Sequence, residues 1–121
     1  MANEKPFKKC SLCGKVWKER GKFLSDPAVL LIGYQAHFKY PDKGLILFEH
    51  HTADCGTSMA IRVGEFEDLY DGEHYDELLF GTDDCPGYCL DEYNFKKCEN
   101  RCRVAFAREI VNLIHNKKAV A

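Results

Sequence analysis

The chain lacks most of the short patterns that announce an activity. It has no glycine-rich loop of the G-x-G-x-x-G or G-K-[ST] kind, so nucleotide binding has no warrant in the sequence. It has no H-E-x-x-H, which excludes the zinc-hydrolase helix, and no C-x-x-C-H, which excludes covalent haem attachment. The deaminase pattern H-x-E…P-C-x-x-C is missing too. In FEHH the acid precedes the histidines, and CPGYC separates its cysteines by three residues. The acids between Glu65 and Glu77 do not follow the calcium-loop spacing and read as a solvated face. No apolar run approaches the roughly 18 residues of a membrane span, so no membrane association is expected. MANEKPFKK carries lysines with no apolar stretch behind them, so no signal peptide is expected and the protein reads as cytoplasmic.

Cysteine, by contrast, is plentiful. Cys10, Cys13, Cys55, Cys85, Cys89, Cys98 and Cys102 are seven in 121 residues. In a secreted chain they would suggest disulfides, with one left over. In a reducing compartment their paired spacings argue for metal or redox chemistry. The length suits one metal-binding domain over residues 1–121, large enough to fold without staples.

Charge is strongly segregated. Residues 1–40 hold eight basic and three acidic side chains, residues 41–94 two and fourteen, and residues 95–121 seven and two. The termini are therefore expected to lie beside an acidic middle. The basic segments leave nucleic-acid binding open as an alternative. A protein partner or small-molecule ligand, neither identified by any motif, is the favoured one.

The fold class expected is α+β, with a three-stranded antiparallel meander carrying a long C-terminal helix. AVLLIGYQAHFKY and GLILFEHH read as strands about the PDKG turn, and TSMAIRV follows the TADCG turn as a third. KERGKFLSDPAVLL reads as loop up to the start of the first of these strands. EFEDLYDG reads as one or two helical turns with Phe66, Leu69 and Tyr70 inward. HYDELLF reads as a short helix or an extended piece. From Asp91 onward there is no proline or glycine, and an apolar stripe from Phe95 to Ile114 predicts a helix running almost to the end.

The sharpest local signal is FKKCSLCGKVW. Its C-x-x-C-G spacing predicts a tight knuckle between two short strands, with backbone N–H groups turned toward thiolate sulfurs and Trp17 covering the metal. Tetrahedral zinc needs two further ligands. CPGYC, in a loop, makes Cys10, Cys13, Cys85 and Cys89 the primary set; CENRC offers Cys98 and Cys102 instead. If the primary set holds, Cys55, Cys98, Cys102 and either His50 or His51 complete a second one. Cys98 and Cys102 also fit the apolar stripe as plain core residues. Zinc is the expected metal, because four thiolates suit it and it is redox-inert. An iron–sulfur cluster is the alternative cofactor, and with it a metal-dependent enzyme or a thiol redox sensor.

Overall fold

Alternation in the middle of the chain sets the architecture. The computed structural model describes residues 6–119. Strands β1 (Lys8–Lys9) and β2 (Val16–Trp17) pair antiparallel across the cysteine knuckle. Strands β3 (Val29–Gln35), β4 (Leu45–His50) and β5 (Ser58–Arg62) form an antiparallel meander in the order β3-β4-β5. The described residues also form two α-helices, α1 (Arg20–Ser25) and α2 (Ala105–Ala119), with α2 packed on β3 and α1. The class is α+β, as the sequence indicates.

Period two decides what each strand buries. In β4 Ile46, Phe48 and His50 point into the core, while Leu45, Leu47 and Glu49 are half-buried on the other face. Met59 and Ile61 extend the inner face from β5, and Ala107, Ile110, Val111 and Ile114 of α2 close it. The register is Val29 opposite His50 and Leu45 opposite Arg62, so His50 ends the buried row of the central strand. Between Leu31 and Gly33 the pairing slips by one residue. The segment after Asp91 runs along this edge: the Tyr34 N–H donates to the Glu92 carbonyl at 2.8 Å. A Cβ on Gly33 would stand 3.0 Å from Glu92 Cγ, so a larger residue there would press the Glu92 side chain back. On the opposite edge, Lys8 Nζ reaches the Ala60 carbonyl of β5 at 3.5 Å.

Three expectations need correction. KERGKFLSDPAVLL contains α1, whose Phe23 and Leu24 are buried. Phe23 stacks edge-on with Trp17 at 5.1 Å and with Phe48 at 4.9 Å. A six-residue helix with Gly21 inside it has little stability of its own, so this burial is what holds it. Secondly, the long helix begins at Ala105 rather than near Asp91. Asp91 and Asn94 turn their side-chain oxygens onto the N–H groups of Tyr93 and Lys96, offering the backbone an alternative to helix. The carbonyls of Lys96 and Phe95 are taken by Arg108 and Asn112. Thirdly, of the two readings of HYDELLF the helix fails, since residues 74–80 form none, although 63–69 do wind as a 3-10 helix with Phe66 buried.

Candidate metal centre

The N-terminal knuckle lies against the far end of β4. Cys10 N–H donates to the Lys15 carbonyl at 2.8 Å and Gly14 N–H to the Cys10 carbonyl at 3.0 Å. Gly14 has φ +82°, a left-handed conformation that glycine adopts without cost and other residues resist. Opposite, the turn after β4 is closed by Thr52 and Cys55, which exchange backbone hydrogen bonds at 3.1 and 3.3 Å. It folds Cys55 back over the strand end, beside His50.

The result is a compact group. The donor atoms of Cys10, Cys13, His50 and Cys55 all lie within 4.8 Å of one another. Cys10 Sγ is 3.6 Å from Cys55 Sγ, and Cys13 Sγ is 3.4 Å from His50 Nδ1. A tetrahedron with metal–sulfur bonds of about 2.3 Å and a metal–nitrogen bond of about 2.05 Å has edges of roughly 3.8 and 3.6 Å. The two measured edges fall slightly inside those values. A disulfide, by contrast, would need about 2.05 Å. These four residues can hold a metal ion.

Burial and hydrogen bonding prepare the donors. Cys10, His50 and Cys55 are buried, and Cys13 is exposed at one corner. The Cys13 backbone N–H, aided by that of Leu12, lowers the Cys10 pKa to about 6 against the opposing effect of burial. Such N–H groups favour the thiolate a metal requires. The Cys55 thiol receives the Thr57 N–H, which favours its anion, but burial and the neighbouring Cys10 and Cys13 push its pKa up on balance. Trp17 packs against the group: its ring meets His50 edge-on at 5.0 Å. Its Nε1 donates to Asp26 Oδ2 at 2.9 Å, while Asp26 Oδ1 accepts from Ala28 N–H at 2.8 Å. The ring over the site is thereby fixed from behind.

No protein-family model, curated protein or solved structure matches the chain. The reading therefore rests on geometry.

Cys10 and Cys13 do form half of a group, but Cys85 and Cys89 do not supply its other half. His50 and Cys55 take that place. Cys85, Cys89, Cys98 and Cys102 instead line one cavity elsewhere in the molecule. The set of His50 or His51 with Cys55, Cys98 and Cys102 is thus divided between two locations. His51 faces solvent and contacts Glu49 Oε2 at 2.7 Å. His37 is engaged in a turn, its Nδ1 accepting from Tyr40 N–H at 3.0 Å. The alternation of β4 separates the two adjacent histidines: His50 continues the row of Ile46 and Phe48, and His51 leaves the strand.

Proposed function

We propose that this protein is a small cytoplasmic binding or regulatory domain, stabilised by a zinc ion held by Cys10, Cys13, His50 and Cys55. The observation that carries the reading is the pair of donor separations, 3.6 and 3.4 Å, close to the edges of a zinc tetrahedron. Three thiolates and an imidazole suit zinc, and four protein donors leave no open position for a substrate. The ion would tie the knuckle to a strand end some 40 residues further along the chain. Most of its binding free energy would then be folding free energy, because the unfolded chain scarcely has the site. The partner of such a domain is a protein or a small ligand.

The exposure of Cys13 favours a second reading, a redox-responsive centre in which this thiolate leaves the metal when oxidised. Elemental analysis and an absorption spectrum of protein purified without oxygen separate the two. Zinc, colourless, with one ion fewer in Cys10→Ser, supports the structural reading. Iron with sulfide-to-iron absorption, or a metal content unchanged in Cys10→Ser, would overturn it. Zinc release on mild peroxide treatment, reversed by thiols, would favour the redox reading.

A further inference from the structure

The first group uses three of the seven cysteines, and the other four are not scattered. Cys85, Cys89, Cys98 and Cys102 all line a single cavity at the N-terminal end of α2, with about 20 Å³ of room. That is space for roughly one water-sized particle. The four sulfurs are not drawn together as closely as the donors of the first group.

The cavity is assembled by two loops that hold each other. Asn100 Nδ2, between Cys98 and Cys102, donates to the carbonyl of Asp84, next to Cys85, at 2.6 Å. Gly87 has φ +78°, which curls CPGYC so that both its cysteines return to the same cavity. The backbone N–H of Leu79 donates to Cys102 Sγ at 3.3 Å. Cys102 stands just before α2, at the positive end of the helix dipole.

An independent observation comes from Arg108. It lines the cavity with no exposed surface, and among the described residues no carboxylate pairs with it. Its guanidinium lies against the rings of Tyr34 and Tyr88, 5.6 and 5.7 Å from their centroids. The Lys96 carbonyl accepts from its Nε and Asn94 Oδ1 from its Nη2, but Nη1 has no partner, and neither has the buried hydroxyl of neighbouring Tyr34. A buried cation with a spare donor calls for negative charge close by. Four neutral thiols do not provide it. Four thiolates around a divalent ion carry a net charge of −2, in the same cavity that Arg108 lines.

We propose that Cys85, Cys89, Cys98 and Cys102 close around one zinc ion, a second and separate site whose charge Arg108 balances. Binding requires the four cysteine side chains to turn their sulfurs onto one ion in the cavity, on loops clamped by Asn100. The proposal does not depend on the first group. On binding, each thiol loses its proton to solvent and no redox change occurs.

The test is peptide-resolved alkylation of the full chain, purified reduced and without oxygen, combined with zinc analysis. The expected result is two zinc ions per chain, and protection of Cys85, Cys89, Cys98 and Cys102 from iodoacetamide that is lost together on adding a chelator. Cys85→Ser/Cys98→Ser should hold one ion fewer, with Cys10, Cys13 and Cys55 still protected. Should that variant fail to fold, the wild-type protection pattern decides alone. Rapid alkylation of the four in zinc-loaded wild type, with Cys10, Cys13 and Cys55 protected, would overturn the proposal and leave the first site standing. Iron with acid-labile sulfide at these cysteines would overturn it as well. Protection of these four alone would overturn the first site instead.

Discussion

The two cysteine groups sit on very different supports. Cys10 and Cys13 hang from the β1–β2 pair, and His50 and Cys55 from the end of β4 and the turn behind it, so paired strands hold both halves. Cys85, Cys89, Cys98 and Cys102 belong to a stretch with little regular structure, where two loops and the start of α2 meet around a charged side chain. Strand pairing can bring donors together before any ion arrives. Loops have fewer backbone bonds to hold them, and an ion at the proposed second site would have to supply part of the order.

Cys10→Ser should break this contrast most severely. Losing one buried cysteine from the first group is expected to lower stability by on the order of 5 kcal/mol or more, since at the proposed zinc site metal binding and folding would be one event. Thermal unfolding with and without added zinc measures it, and zinc should no longer raise the transition temperature through that site. Next comes Phe23→Ala, which empties the aromatic cluster behind the knuckle and should cost about 3–5 kcal/mol in urea unfolding. That loss should persist whichever metal is bound, because it acts through packing.

Arg108→Met sharpens the other half of the comparison. In zinc-loaded protein the expected cost is about 2–3 kcal/mol, from lost charge-assisted bonds and an unbalanced thiolate cluster. In Cys85→Ser/Cys98→Ser the same substitution should cost clearly less, so a double-mutant cycle reads the coupling directly. An equal cost in both backgrounds would mean that Arg108 serves its loop carbonyls alone. The smallest effect expected is Asp26→Ala, about 1–2 kcal/mol. It frees Trp17 Nε1 and the Ala28 N–H, and it should be visible as a change in Trp17 fluorescence as the ring over His50 loosens.

How much of this could be read beforehand depends on the range of each interaction. The knuckle was legible because C-x-x-C-G is a local device: Gly14 must be left-handed, and the N–H groups of a five-residue turn can reach only nearby sulfurs. The meander was legible from alternation. The partner of the knuckle was not, because it lies 37 residues away from Cys13 and is chosen by the sheet, which ends its buried row at His50 beside β2. Alternation along FEHH did contain the information that His50 and not His51 points inward, yet nothing local said what it would meet there. The helix expected from Asp91 failed for the opposite reason. Its apolar stripe is real, since Phe95 and Cys102 do face inward, but the side chains of Asp91, Asn94 and Arg108 capture the backbone groups a helix would need.

The lysine that reaches the outer edge of β5 has a further consequence. In the β4–β5 ladder His50 N–H bonds Thr57, so Ala60, three positions on, turns its backbone groups away from β4. Such an edge is a template on which another chain can build a strand. Lys8 sets a positive charge on that template, and it belongs to the same hairpin that carries Cys10. A chain whose knuckle has come loose would therefore lose the guard on its sheet as well as the proposed zinc ion. Its failure should take the form of self-association, with light scattering rising in step with zinc loss.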